Sequence, residues 1–297
     1  MGLRIKEFLV EFNRNLIEFR RGYLWLLGLL AFAVLGIYYF YIRPNSLAGI
    51  GVLPDSVFSY SFYAQSYGTG IFLITIILSA MLIAVDRESG IWKISRSLKL
   101  PDLPSILAKF AWIIVYSIIG LAVSLMVFSL YFFTNYAHFN FSYIVPFAMT
   151  LLSFIPVSAI IAMQGLTISS MFSKRVTAVM AAIAFYAFVS SASVFYFNHY
   201  VVNQNPSILF NTNFPVFYKI IILMDPVYFK YLAAALLGIT MIGYGNYNNG
   251  NVPPPKYQFY VPAIFNSYQG YLTMYLIEFS ALILLMYISM SLRRRMM

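Results

Sequence analysis

Long apolar stretches alternate with short polar segments along this chain, and six of the stretches are long enough to cross a bilayer as helices. A bilayer core about 30 Å thick needs roughly 20 residues of α-helix, and most of the stretches reach that length. The pattern therefore predicts an all-α polytopic membrane protein with six transmembrane helices in a single domain, residues 1–297. The predicted spans are Tyr23–Ile42, Phe62–Val85, Ile106–Phe133, Tyr143–Phe172, Val176–Phe197 and Tyr268–Leu292.

The distribution of Lys and Arg orients these spans. Cytoplasmic segments of membrane proteins carry an excess of basic residues. If the spans alternate from an inner N-terminus, 15 of the 19 Lys and Arg residues fall on the inner side. Arg293, Arg294 and Arg295 follow the last span. We therefore predict cytoplasmic N and C termini and a location in the plasma membrane.

Composition and charge agree with a membrane protein. Hydrophobic residues make up 61% of the chain and charged residues 9%, which excludes a soluble globular or a disordered protein. The net charge is +10, but the basic residues lie beside the spans rather than in one patch interleaved with aromatic side chains. Anionic membrane lipids are therefore the expected partner, and nucleic acid is not.

Two segments on the inner side are amphipathic. Within residues 1–22, apolar side chains recur at three- and four-residue spacing from Ile5 to Phe19, which predicts an interfacial elbow helix. The alternative is a soluble helix packed on a partner. Residues 86–105 join the second and third spans, and Gly90 and Pro101 bracket about two turns of possible helix. We expect a short helix at the inner interface with one face available to another protein.

A long region, residues 198–267, separates the fifth and sixth spans on the predicted outer side. Loops of this length are usually functional or disordered. Its apolar piece Tyr231–Tyr244 is short for a span and suits a re-entrant or surface-lying segment. Counting it as a seventh span would place Arg293–Arg295 outside, against the charge rule, so we predict an extracellular or re-entrant region.

Candidate chemistry is sparse. Glu278 is the only charged residue deep inside a predicted span, so it and Gln164 are a possible substrate path. The alternative is a neutral carboxyl group hydrogen-bonded across helices, for which Gln164 is the first candidate partner. Asn140 begins an Asn-Phe-Ser sequon and is a possible glycosylation site. The His residues are isolated, so no metal site and no catalytic residues are predicted.

The loop after the second span resembles that of a known family. Glu88 closes the span, Gly90 follows two residues later, and Lys109 opens the third span 19 residues after Gly90. With Trp92 and Pro101 between them, this arrangement is similar to the inner loop of type-2, exporter-type ABC transporter permeases. Two departures are that Ile91 stands where the family favours Thr, and that Pro101 comes about two residues late.

The resemblance implies a permease subunit of an ABC exporter that forms the translocation path with a second permease half, identical or paralogous. It also implies that the inner loop, with Glu88, Gly90, Trp92, Pro101 and Lys109, docks on a separate ABC ATPase subunit. Lys93 and Arg96 would take part in that coupling, and Trp92 is the side chain expected to pack at the contact.

The chain has no G-x-x-x-x-G-K-[ST] motif, so ATP and Mg would bind to the partner ATPase, and no cofactor and no enzyme activity are expected on this chain. The alternative function is an ATPase-independent secondary transporter or channel.

Overall fold

A computed structural model describes residues 5–21, 28–34, 69–97, 102–135, 144–197, 224, 241–242, 259–260 and 268–295. Apart from one short pairing of strands, the described chain is helical. The helices are α1 (Ile5–Arg21), α2 (Thr69–Glu88), α3 (Ile91–Ser97), α4 (Asp102–Asn135), α5 (Ile144–Met171), α6 (Arg175–Phe197) and α7 (Tyr268–Arg295), and residues 28–34 are also helical. Strands β1 (Met241–Ile242) and β2 (Phe259–Tyr260) pair in parallel.

Four of the described helices are long and apolar enough to cross a membrane. The qualifying stretches are Asp102–Val127 in α4, Phe154–Met171 in α5, Arg175–Ala192 in α6 and Leu272–Leu292 in α7. The described part of the chain is therefore almost entirely helical, and its four long apolar helices are consistent with a membrane protein. Helix α2 corresponds to the second predicted span, and it ends in the charged triplet Asp86, Arg87 and Glu88. Of the first predicted span, only residues 28–34 lie in the described part of the chain.

Helices described at both ends begin and end close to the predicted positions, with one informative difference, and residues 62–68 of the second predicted span lie outside the described residues. Helix α4 begins at Asp102, four residues before the predicted span. Asp102 and Pro104 lie in its first turn, where a carboxylate faces unsatisfied backbone N–H groups and proline loses no helical hydrogen bond. The helix therefore extends into residues 86–105, the segment that also contains α3.

Helix α5 is the centre of the bundle. It packs against α2, α4, α6 and α7, and 78% of its stretch Phe154–Met171 is buried. Helix α7 is at the other extreme, because it packs mainly on α5 and only 11% of Leu272–Leu292 is buried. The remaining apolar surface of α7 is exposed, as expected for a helix in contact with lipid.

Helices α2 and α5 approach each other closely at Gly165. A Cβ atom added there would lie 1.7 Å from Ser79 Oγ and 2.9 Å from the Ile76 carbonyl oxygen. Ser79 itself is fully buried and donates to the carbonyl groups of its own helix. Small residues at such crossings allow membrane helices to pack by van der Waals contact. The glycine therefore fixes the distance between the two most extensively packed helices.

Helix α1 packs along α4. Asn15 is buried, whereas Ile5, Leu9 and Val10 are each more than half exposed. An exposed apolar side suits a helix that lies at the membrane interface.

Candidate functional site

The turn between α2 and α3 depends on Gly90. Its φ is +78°, in the left-handed region that L side chains rarely adopt. Ahead of it, the Ser89 amide donates to the Val85 carbonyl oxygen at 2.9 Å, and the Gly90 amide donates to that of Arg87 at 3.2 Å. A Cβ atom at Gly90 would meet nothing within 4 Å, so the position requires glycine for its backbone conformation and not for space. After this turn, α3 packs against the bundle through Trp92.

Trp92 anchors α3 to the membrane domain. The side chain is 5% exposed, and the Arg87 guanidinium lies 5.5 Å from the centre of its ring. Since its surface is covered by this chain, Trp92 faces inward and has little area left for a second protein. The buried cluster that contains it comprises Ile83, Ile106, Ile113, Ala162, Met163, Leu166, Met286 and Met290.

The outward face of α3 is formed by the next residues. Lys93 is exposed, and Ile94 is 61% exposed. An exposed isoleucine beside a lysine, on a seven-residue helix held by a buried tryptophan, is suited to contact another protein. The side chain of Arg96 and the whole of Pro101 lie outside the described residues, as does Asn140, so their predicted roles stay predictions.

Glu88 and Arg87 tie the end of α2 to neighbouring helices. The Arg175 amide donates to Glu88 Oε2 at 3.0 Å, at the first residue of α6, where a carboxylate offsets the positive end of the helix dipole. Arg87 donates to the carbonyl oxygens of Ser170 and Phe172 at the end of α5. The end of α2, the end of α5 and the start of α6 are thus joined by charged side chains.

Lys109 lies inside the protein. The side chain is 1% exposed, and its Nζ is 2.8 Å from Asp86 Oδ2 and donates to Asn15 Oδ1 at 3.2 Å. Arg14 Nη2 is 3.5 Å from the same Asp86 oxygen. Lys109 therefore joins α1, α2 and α4 and has no exposed surface on the isolated chain. The resemblance placed Lys109 among the coupling residues. In the structure it belongs to a buried polar cluster of Arg14, Asn15, Asp86 and Lys109, which we call the buried brace.

The second candidate site joins α5 to α7 in the middle of the bundle. Gln164 Nε2 donates to Glu278 Oε1 at 2.8 Å and to the Met224 carbonyl oxygen at 2.9 Å. Gln164 is 2% exposed, and Glu278 is half-buried. The cross-helix hydrogen bond that the sequence suggested is therefore present, and it brings together the two residues of the predicted substrate path.

Further hydrogen bonds join the same two helices above and below this pair. Tyr275 Oη donates to the Pro156 carbonyl oxygen at 3.1 Å, Thr167 Oγ1 to that of Leu282 at 3.3 Å, and Ser289 Oγ to that of Ser170 at 2.9 Å. Such bonds are worth about 0.6 kcal/mol each on average in membrane proteins. Together with the ring of Phe279, which packs edge-on against Phe110, they hold α7 on the bundle.

No family model and no curated protein matches this chain. Nor do the described residues contain a group of three or more His, Cys, Asp or Glu side chains that could hold a metal ion. Function is therefore argued from the two sites themselves.

The sequence did not predict that Lys109, Asp86, Arg14 and Asn15 would form the buried brace. Asp86 was visible as the end of the second span, but Arg14 and Asn15 lie more than 70 residues away, on a helix expected to lie in the membrane interface. The only available signal was a lysine, Lys109, inside an otherwise apolar stretch, since such a charge requires a partner.

Proposed function

We propose that this chain is the membrane-spanning permease subunit of an ABC exporter and that α3 is its docking element for a separate ATP-binding subunit. The proposed topology has six transmembrane helices, both termini in the cytoplasm and residues 198–267 outside. Two such halves would form the translocation path.

The observation that carries the proposal is that α3 has one side buried against the bundle and the other side exposed. It is a short helix set between two long apolar helices, with Trp92 buried beneath it and Lys93 and Ile94 exposed. Closure of two ATPases can move membrane helices only through a contact that is stiff on both sides. On the permease, the stiffness comes from the buried side chain of Trp92, which holds α3, and from the Lys109–Asp86 ion pair, which joins α4 to α2. We therefore assign positioning roles to these residues. The contact with the ATPase is assigned to Lys93 and Ile94.

The test is co-purification in mild detergent with variants of exposed residues, in which Lys93→Glu has a control of the same charge change. Lys93→Glu and Ile94→Asp should each release the ATPase from the permease, because both alter the exposed face of α3. Lys174→Glu is the control, since Lys174 is also exposed, on the turn between α5 and α6. A buried contact in the centre of an interface can contribute about 2 kcal/mol or more, which corresponds to at least roughly thirtyfold in affinity.

Two results would count against this assignment. One is an ATPase that co-purifies equally with all three variants, which would move the contact elsewhere. The other is the absence of any ATP-binding protein from the wild-type preparation, together with transport by the permease alone in vesicles. That second result would favour a secondary transporter or channel, for which the mid-span carboxyl group of Glu278 is the supporting feature.

A further inference from the structure

The Gln164–Glu278 pair contains a hydrogen-bonding atom, Gln164 Oε1, that no described residue satisfies. Within the described part of the chain, no donor lies in hydrogen-bonding reach of Gln164 Oε1, although this atom is buried. An acceptor left without a donor in a buried position costs about 1–3 kcal/mol. A buried polar group in this state requires an explanation, such as a bound water, an ion or another ligand.

The orientation of the Gln164 amide is fixed by its neighbours. Its nitrogen faces two oxygens, those of Glu278 and of the Met224 carbonyl group, and donates to both. Turning the amide over would place its oxygen against these two acceptors. The unused oxygen therefore belongs to the stable orientation of the side chain.

A proton on Glu278 would not satisfy this oxygen, because the carboxyl group faces the nitrogen end of the amide. Since no described residue reaches this oxygen, a donor from a separate molecule would satisfy it. The carboxyl group beside it favours a donor with positive charge, since a carboxylate in a membrane interior is stabilised by an opposite charge. A ligand with a positively charged nitrogen that carries a hydrogen meets both requirements: a donor for Gln164 Oε1 and a charge opposite to that of Glu278.

We propose that Gln164 and Glu278 form a binding subsite for lipophilic organic cations that carry N–H donors. Gln164 Oε1 accepts the N–H hydrogen bond, and Glu278 provides the negative charge. Helix α7, which holds Glu278, packs mainly on α5 and is buried over only 11% of Leu272–Leu292, so the pair lies where these two helices meet and close to the exposed surface of α7. As a substrate subsite the assignment rests on the proposed export function, whereas binding itself does not.

The test uses the purified permease alone in lipid nanodiscs and two dyes that differ in one property. The first is a cationic rhodamine ethyl ester whose ring amines are secondary and carry N–H. The second is tetramethylrhodamine ethyl ester, which has the same charge and no N–H. Fluorescence anisotropy should give an affinity about tenfold higher for the first dye, because the second leaves Gln164 Oε1 unpaired.

Variants separate the two halves of the subsite. Gln164→Met should abolish the preference between the dyes, since it removes the acceptor. Glu278→Gln should weaken binding of both dyes by about tenfold or more, because it removes the charge and keeps an acceptor for the Gln164 amide. Thr167→Val is the control: it removes a hydrogen bond between the same helices, and dye binding should stay at the wild-type level.

Equal affinity of the two dyes for the wild-type protein would overturn the proposal, as would a preference that persists in Gln164→Met or undiminished binding to Glu278→Gln. A wild-type protein that binds neither dye would also overturn it. Because no ATPase is present, these results are independent of whether an ATPase docks on α3.

Discussion

Removal of the Lys109 charge should destabilise the protein more than any change to an exposed ion pair at the same end of the bundle. Lys109→Met keeps an unbranched apolar stem but leaves Asp86, whose side chain is 5% exposed, without its partner at 2.8 Å. Breaking a buried pair by removing one member costs roughly 3–5 kcal/mol. Arg14 remains 3.5 Å from Asp86, so we expect a loss of about 3 kcal/mol, at the lower end of that range.

The assay is reversible unfolding by SDS titration in mixed micelles, with the free energy of unfolding compared between variants. Glu88→Gln is the control, because Glu88 and Arg175 form an exposed pair at 3.7 Å. Exposed pairs contribute about 0–1 kcal/mol. The double variant Lys109→Met with Asp86→Asn should recover part of the loss, since no uncompensated charge then stays buried. If Lys109→Met unfolds no more easily than Glu88→Gln, the buried brace contributes nothing and our account of it is wrong.

Three further predictions concern packing, membrane insertion and topology. Gly165→Ala should lower the free energy of unfolding by about 1–3 kcal/mol, because the added methyl group has no room between α2 and α5; an unchanged SDS midpoint would contradict the close approach. Glu278→Lys should insert poorly, at a cost of about 2.5–3.5 kcal/mol near the centre of a span, whereas Glu278→Gln should reach wild-type levels in the membrane by immunoblot; equal levels of both would contradict a mid-membrane position. In this Cys-free chain, an impermeant thiol reagent on intact cells should label cysteine at Asn249 and not at Met297, and the reverse pattern would refute the six-span topology.

The helices were predictable from the sequence because their signal is local. Residues 144–171 and 175–197 form helices within a residue of the predicted spans, since sustained apolar composition leaves the chain few alternatives in a bilayer. Gly90 was also predictable as a break, and the structure supplies the reason in its positive φ. The hydrogen bond between Gln164 and Glu278 was expected because a polar group in a span needs a partner on another helix.

Features that depend on the packing of distant helices were not predictable. The direction in which Trp92 faces depends on the positions of α4, α5 and α7, so an aromatic residue in an amphipathic loop was expected to face a partner although it is buried. Likewise, Gly165 looks like any other small residue in an apolar stretch until α2 is placed against it. Hydropathy predicts where the spans lie, and the Lys and Arg distribution predicts their direction, but neither contains information on which helix faces meet.

Site-specific cross-linking from α3 tests the central claim most directly. Ile94→Cys, placed in the Cys-free chain and carrying a photoactivatable benzophenone maleimide, should cross-link in native membranes to a protein that contains the phosphate-binding motif G-x-x-x-x-G-K-[ST]. Val176→Cys is the matched control, because Val176 is 66% exposed at the start of α6 and lies outside the proposed contact. Mass spectrometry of the adducts should find the ATPase only from residue 94. Adducts from residue 94 that contain no ATP-binding protein, or the same ATPase recovered equally from residue 176, would contradict docking through α3.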